Sequence, residues 1–300
     1  MTFARHDPIN DAETLPRMPS WVTSARVEGL EDVAFLSGAA LSHLDLMLGR
    51  ADVPHALVRD RLALRAAEAC VRVEGRPERV AELRDAVHLL RPDDLPGPAG
   101  ETCLAWRHAV ARPISIQALH RALAGVEAEK IAGWLDGCDP RGAGTGAPVT
   151  RAATVLEAVL AEAPRAEVTG LILAEAALAQ TLGWTHLGPL LAAGLKRTDL
   201  RKRGDDLRLA CHRAVTASAL EAVRLAADLA RRAAHLKAVA PKLRAKGAGE
   251  AVEMFLSCDA VAPTALPLPD RAARRLCDRL VKLGVVRELT GRDTSRLYGV

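Results

Sequence analysis

Apolar residues recur every three or four positions along most of the chain, which is the spacing that places them on one face of an α-helix. This pattern predicts a series of helices separated by turns rich in proline and glycine. The predicted helices cover 31–50, 54–73, 77–90, 101–111, 115–125, 128–135, 150–163, 168–182, 187–195, 207–240, 250–257 and 270–283. The two most strand-like segments lie at the very end of the chain, so the pattern predicts an all-α body followed by one small β-hairpin.

Several segments depart from the simple amphipathic pattern. The segment 168–182 is apolar on nearly all sides, which predicts a helix at the centre of the core. The stretches 91–100 and 196–206 lack apolar periodicity and are predicted loops. The stretch 137–148 contains four glycines and two prolines, so it is the candidate for a long loop or an internal break.

Length and charge distribution together predict two domains. The chain has 300 residues, more than one compact helical core usually holds. Its net charge of +4 is accounted for by residues 266–300, which contain eight basic and four acidic residues. We expect a helical body over 1–240, a basic linker over 241–249 and a small terminal domain over 250–300.

The cysteines and the apolar runs bear on where the protein resides. Six cysteines are spread along the chain without a Cys-x-x-Cys pair, and most lie in apolar helical stretches. We therefore expect reduced, buried thiols rather than a disulfide framework or a structural zinc site. The sequence has no uncharged apolar run of about eighteen residues and no secretion-type apolar segment near its start. These features predict a cytoplasmic protein without membrane contact.

The terminal domain has the element order of a winged helix-turn-helix. The segments 250–257, 261–266 and 270–283 predict two short helical elements and a longer third helix. The strand-like segments 285–289 and 296–300 are joined by turn-forming residues, which predicts a β-hairpin. In a winged helix the third helix enters the major groove of DNA and the hairpin lies along the adjacent phosphates.

The third helix of this domain is the clearest amphipathic segment of the sequence. One half of its helical wheel is apolar, and the other half is mainly basic. We therefore predict DNA contacts from Arg271, Arg274, Arg275, Arg279, Lys282, Arg292 and Arg296. On this interpretation the protein is a transcriptional regulator or an accessory DNA-binding factor, and the helical body serves for homodimerisation or for binding a partner or ligand.

Two alternatives remain open at the level of the sequence. Winged helices also dock proteins, so the terminal domain is compatible with an interaction scaffold. The N-terminal helices also carry polar residues at helical spacing, namely Arg61, Arg65, Asp85 and His88, with Trp106 and Arg107 following in a later helix. If these helices meet, the group predicts an anion site or acid-base chemistry, and otherwise a network of ion pairs that fixes helix register.

Familiar catalytic and cofactor motifs are missing from the sequence. It contains no phosphate-binding P-loop, no dinucleotide-binding glycine pattern after a strand, no H-E-x-x-H and no G-x-S-x-G. Histidines and cysteines do not fall at metal-ligand spacing. We expect no cofactor and no metal.

Short segments spread over nearly the whole chain resemble a known family. At the N-terminal end these are FLSGAAL (35–41), RLALRAAEA (61–69), LRDAVHL (83–89) and GPAG…LAWR (97–107). At the C-terminal end LRAKGAGEAVEMFLSCDAVAP precedes DRAARRLCDRLVKLGVVRELTGRDTSRLYGV. These segments resemble the alphaproteobacterial family known as domain of unknown function 1403. The resemblance implies a bacterial cytoplasmic protein, frequently encoded on plasmids or mobile elements, and implies no established activity.

The terminal hairpin is also similar to the winged helix that ends many Fic-domain proteins. The HPFxxGNGR-type motif of that family is missing, so AMP transfer is not expected.

Overall fold

The computed structural model describes residues 17–24, 29–90, 93–137, 147–243, 247–291 and 295–300. Within these residues the chain is mostly helical and contains one two-stranded sheet, which confirms the all-α prediction. The helices are α1 (Ser20–Ser24), α2 (Leu30–Leu48), α3 (His55–Val73), α4 (Val80–His88), α5 (Gly97–Ala111), α6 (Ile116–Ala122), α7 (Ala128–Asp136), α8 (Pro148–Glu162), α9 (Glu167–Thr181), α10 (Leu191–Gly194), α11 (Gly204–Val239), α12 (Ala248–Ser257) and α13 (Asp270–Lys282). The strands are β1 (Arg287–Glu288) and β2 (Tyr298–Gly299).

The chain forms two compact units. The body unit contains Trp21–Ser42 and Arg59–Leu220. Among the described residues, the terminal unit contains 17–20, His43–Val58 and Glu221–Val300. The second part of α11 therefore belongs to the same unit as α12, α13 and the hairpin, and the predicted break at 137–148 falls largely outside the described residues.

Helix α9 is the central helix of the body unit. Every residue from Gly170 to Ala179 is buried, as its uniformly apolar sequence predicts. α8 packs along α9, and the helices approach closely because position 170 is a glycine. A Cβ built there would lie 3.1 Å from Cδ1 of Leu156. This packing accounts for much of the core of the body unit.

Several loop and helix boundaries differ from the sequence prediction. The predicted loop 196–206 is too long, because α11 begins at Gly204, and the helix predicted over 77–90 spans only Val80–His88. The predicted loop 91–100 is too long, because α5 begins at Gly97, and Pro98 is tolerated in its first turn, where a helix needs no backbone donor. The predicted helix 187–195 is too long, since only Leu191–Gly194 is helical. Backbone N–H groups at the start of α10 are bound by a buried side chain, described below.

The terminal unit contains a small core built from α12, α13 and the hairpin. Phe255, Leu276, Leu280 and Leu297 are all buried there. Between α12 and α13 the chain makes a single 3-10 turn, Pro263–Ala265, in place of the second helical element that the sequence predicts over 261–266. Val261, just before this turn, pairs antiparallel with Tyr298 of β2.

The cysteines follow the prediction of reduced core residues where the structure describes them. Cys70, Cys103, Cys211 and Cys277 are free and buried, and Cys258 is free and half-buried. Burial raises the pKa of the Cys70, Cys211 and Cys277 thiols to about 12, so they are not reactive thiolates. Of the helices that the structure describes, none is both long and apolar enough to cross a membrane.

Candidate functional site

The amphipathic helix α13 builds the candidate site of the terminal unit. Its apolar side, made of Ala273, Leu276, Cys277 and Leu280, is buried against the rest of the unit. Asp270 lies in the first turn, and Arg279 and Lys282 lie in the last turn, which complements the helix dipole. Gly284 follows with φ of +69°, a conformation that favours glycine and ends the helix.

The opposite side of α13 is exposed and carries the basic residues that the sequence singled out. We call it the basic face, defined as Arg271, Arg274, Arg275, Arg279 and Lys282, all of which are exposed. Their clustering follows directly from helical spacing, because positions three and four apart lie on one side of a helix. The structure therefore brings five of the seven predicted DNA-contacting residues onto a single surface.

The members of the basic face differ in their hydrogen-bond and ion-pair partners. Asp270 binds Arg274 through Nε at 3.2 Å and Nη2 at 3.2 Å. Arg275 donates from Nε to the carbonyl oxygen of Arg271 at 3.2 Å. Arg279 donates from Nη2 to the carbonyl oxygen of Lys242 at 3.4 Å, which places the exposed Lys242 beside the edge of the face. No acidic partner of Arg271 or Lys282 lies within the described part of the chain.

Two of the predicted DNA-contacting residues belong to the hairpin, and the structure describes one of them. Arg292, expected at the hairpin tip, lies outside the described residues. Arg296 is half-buried, and its Nη1 lies 3.8 Å from Oε2 of Glu288 on the facing strand. Arg296 therefore has a cross-strand partner within the hairpin.

A second polar cluster joins three helices of the body unit. Arg107 of α5 donates from Nε to Oδ1 of Asp60 on α3 at 3.0 Å, and from Nη2 to Oδ2 at 3.4 Å. Its Nη1 donates to Nε2 of His88 on α4 at 3.3 Å, so that nitrogen is the acceptor. The Arg107 and Asp60 side chains are 25% and 12% exposed. We call this group the Asp60–Arg107–His88 cluster.

The other residues of the predicted acid-base group lie on the same helices. Arg61 and Arg65 are half-buried on α3, and Asp85 is half-buried on α4, one turn before His88. Trp106, expected to close a pocket, is fully buried and donates from Nε1 to Sγ of Cys70 at 3.3 Å. Trp106 is thus a core residue, and the contacts of Arg107 and His88 are those of an ion-pair network that fixes helix packing.

Glu175, in the middle of α9, is a buried acid that the sequence predictions do not include. Its Oε1 accepts backbone hydrogen bonds from Leu190 at 2.7 Å, Leu191 at 2.6 Å and Ala192 at 3.2 Å. Its Oε2 is buried and has no hydrogen-bond partner among the described residues. Burial raises the pKa of Glu175 to about 8, although the three backbone donors act in the opposite direction. Glu175 therefore caps the turn that leads into α10.

A buried serine and histidine also meet in the body unit. Oγ of Ser37 on α2 lies 2.7 Å from Nδ1 of His212 on α11, and it lies 3.0 Å from the carbonyl oxygen of Ala34. Ser37 and His212 are 1% and 4% exposed, and burial lowers the pKa of His212. Because the hydroxyl is sealed from solvent, this pair has the character of a packing contact and not of an accessible nucleophile.

Comparison with known families decides the classification of the chain. A family model described as "Protein of unknown function (DUF1403)" matches residues 6–300. The chain belongs to this family. No curated protein matches it.

The sequence of this DUF1403 protein contains a signal for Glu175, one of the buried acids that the sequence predictions do not include. Glu175 is a lone carboxylate in the run LILAEAALA, and a charge on an otherwise apolar helix must find partners when that helix is buried. Asp60 has no comparable signal, because its partner Arg107 lies 47 residues away. Among the described residues, no group of three or more His, Cys, Asp or Glu side chains is placed to hold a metal ion.

Proposed function

We propose that this DUF1403 protein binds DNA and that the basic face of α13 is its contact surface. The observation that carries the proposal is the burial of one side of α13 and the exposure of five cations on the other. Exposed cations on one side of a helix provide the phosphate contacts that dominate DNA affinity, and arginine also binds guanine edges through two donors.

We propose further that residues 250–300 form a winged helix-turn-helix. The order of α12, the 3-10 turn, α13 and the hairpin supports this assignment. Val261 supports it as well, because its N–H donates to the carbonyl oxygen of Tyr298 at 2.8 Å and its carbonyl accepts from the Tyr298 N–H at 3.0 Å. The strand pairing thus ties the segment before α13 to the hairpin after it, and leaves the basic face of α13 toward solvent.

The DNA in this proposal is double-stranded. Proteins that bind single strands combine basic grooves with exposed aromatic rings on which bases stack. In the described part of the terminal unit the aromatic residues are Phe255 and Tyr298, and both are buried. Arginine and lysine without a stacking platform fit the grooves and phosphates of a duplex.

The cellular setting that we propose is the one that the family resemblance implies. We infer a bacterial cytoplasmic regulator or accessory factor of a plasmid or mobile element. In this proposal the helical body that the sequence predicts over 1–240 mediates dimerisation or binds a partner. Sequencing the DNA that is recovered with the crosslinked protein from its own cells tests this setting.

A fluorescence-anisotropy titration with labelled duplex DNA tests the DNA contact directly. The variant Arg271→Ala/Arg275→Ala/Lys282→Ala removes three cations from the basic face. The control variant Arg112→Ala/Arg121→Ala/Arg165→Ala removes the same charge from exposed positions of the body unit. Titrations between about 50 and 200 mM salt yield the salt dependence, which rises with the number of phosphates that the protein neutralises.

We expect wild type and the control variant to bind the duplex with a steep and equal salt dependence. The basic-face variant should bind at least about tenfold more weakly, with a salt slope smaller by about one for each phosphate that is no longer neutralised. Equal binding by both variants would contradict the proposal. Absence of duplex binding by wild type, together with co-purification of one protein that the basic-face variant fails to retain, would instead support the scaffold alternative.

A further inference from the structure

Asp278 lies within the basic face of α13. It is exposed, and it follows Arg274 and Arg275 by one helical turn and precedes Lys282 by one turn. Residues three and four apart are neighbours on a helix, so this carboxylate is surrounded by cations. Any polyanion that approaches the basic face also approaches Asp278.

Asp278 differs from Asp270 and Glu288, the other acidic residues described on α13 and the hairpin, in having no cationic partner within the described part of the chain. Asp270 binds Arg274, and Glu288 lies beside Arg296. By contrast, no hydrogen bond or ion pair joins the Asp278 side chain to any residue that the structure describes, although basic residues lie one turn away on both sides. Its carboxylate oxygens are therefore available to a ligand.

The position of Asp278 is not explained by the helix dipole. A carboxylate stabilises the first turn of a helix, where the dipole is positive, and Asp270 occupies that place in α13. Asp278 lies in the second half of the helix, next to Arg279 in the basic last turn. The helix dipole thus does not account for a negative charge there.

The effect of Asp278 on DNA binding depends on what it faces. Opposite a phosphate, the carboxylate repels the duplex whatever its sequence. Opposite a base edge in the major groove, it accepts a hydrogen bond from an exocyclic amine, and cytosine N4 is the donor that aspartate and glutamate match. Thymine presents an acceptor at the corresponding place and is rejected.

We propose that Asp278 is a specificity-determining residue that binds a cytosine amino group and lowers affinity for duplexes lacking that cytosine. This inference rests on the proposed DNA contact of the basic face. Arg271, Arg275 and Lys282 supply the attraction, and Asp278 makes that attraction depend on sequence. Specificity in such a design comes from a repulsive element as much as from an attractive one.

Selection from a duplex library with a randomised central segment tests the inference with four full-length proteins. These are wild type, Asp278→Ala, Asp278→Asn and the control Glu253→Gln, which removes one exposed negative charge from α12 in the same unit. After selection, anisotropy titrations compare the selected duplex, the same duplex with the cytosine pair changed to T·A, and an unselected duplex.

We expect wild type and Glu253→Gln to select the same cytosine and to discriminate against T·A by about tenfold. Asp278→Ala should lose this discrimination and bind unselected DNA more tightly than wild type. Asp278→Asn should shift the preference towards adenine, the base that asparagine matches with two hydrogen bonds.

Two results would overturn the inference in distinguishable ways. If Asp278→Ala selects the same sequence as wild type, whether or not its overall affinity rises, Asp278 does not read a base and the proposed DNA contact stands. If wild type binds no duplex, the proposed function fails, and the role of Asp278 fails with it.

Discussion

Arg107 binds both carboxylate oxygens of Asp60, with Nε 3.0 Å from Oδ1 and Nη2 3.4 Å from Oδ2. The same guanidinium donates to His88, so one side chain of α5 connects α3 and α4. Both members of the ion pair are largely buried, so removal of one leaves the other without its counter-charge in a poorly solvated place.

Arg107→Ala should lower the free energy of unfolding by about 2–4 kcal/mol, because Asp60 is left as an uncompensated carboxylate. Arg72→Ala, at an exposed position of α3, is the control and should change stability by less than about 0.5 kcal/mol. The double variant Asp60→Leu/Arg107→Met should recover part of the stability, since no charge then remains unpaired. Urea denaturation measures all three. Equal midpoints for Arg107→Ala and Arg72→Ala would contradict a structural role for the pair.

We expect the free energy of unfolding of the protein to depend on pH through Glu175. Burial raises its pKa from 4.5 to about 8 in the folded protein, so the folded state holds a proton that the unfolded state releases above its own lower pKa. The stabilising effect of this proton is fully present below pH 4.5 and is lost as pH rises towards 8, with a slope of up to about 1.4 kcal/mol per pH unit. Alkaline conditions therefore destabilise the wild-type protein through this group.

The variant Glu175→Gln isolates this effect, because glutamine retains an oxygen for the three backbone donors and does not titrate. We expect the difference in unfolding free energy between wild type and Glu175→Gln to favour wild type most near pH 5 and least near pH 8 and above. Glu129→Gln, which removes a carboxyl at an exposed position of α7, is the control and should not reproduce the pH profile of Glu175→Gln. Urea denaturation in steps of pH provides the measurement. A pH-independent difference for Glu175→Gln would show that the carboxyl of Glu175 does not titrate in this window.

Gly194 lies at a position of the body unit where a larger side chain would clash with α11. A Cβ at this position would lie 2.7 Å from the Cα, the Cβ and the carbonyl oxygen of Ala214 on α11, and backbone atoms cannot turn aside as a flexible side chain does. Gly194→Ala should therefore destabilise the protein by about 1–3 kcal/mol and lower its Tm. Gly133→Ala is the matched control, because a Cβ there meets nothing within 4 Å and alanine favours the helix. Differential scanning calorimetry compares the two. An unchanged Tm for Gly194→Ala would mean that α10 shifts away from α11 at little cost.

The helices themselves were predictable from the sequence because helix periodicity is a local property. The structure confirms the amphipathic segment 270–283 as α13 (Asp270–Lys282) and the apolar segment 168–182 as α9 (Glu167–Thr181), each within a residue of its predicted bounds. The basic face followed in the same way, since its members lie within thirteen residues of one another on a single helix. Prediction failed at Gly97, where proline and glycine suggest a loop but Pro98 fits the first turn of α5.

The polar clusters of the body unit were only partly predictable. Sequence spacing singled out His88 and Arg107, but it did not show that the carboxylate bound to Arg107 is Asp60, because i, i+3 and i, i+4 patterns identify neighbours on one helix only. The partners of Glu175 are backbone amides of residues fifteen to seventeen positions away. Such pairings depend on how helices pack, and helix spacing alone carries no information about them.

The sequence by itself determined that this protein is helical, that α9 lies at a core centre and that α13 has one apolar and one basic side. Each of these properties depends on interactions over a few residues or on the need to bury apolar side chains. Only the tertiary structure decided which charged groups are paired, that Val261 pairs with Tyr298, and that Asp278 has no partner among the residues described. These outcomes require distant segments to meet, and the free energy of packing the whole chain selects them.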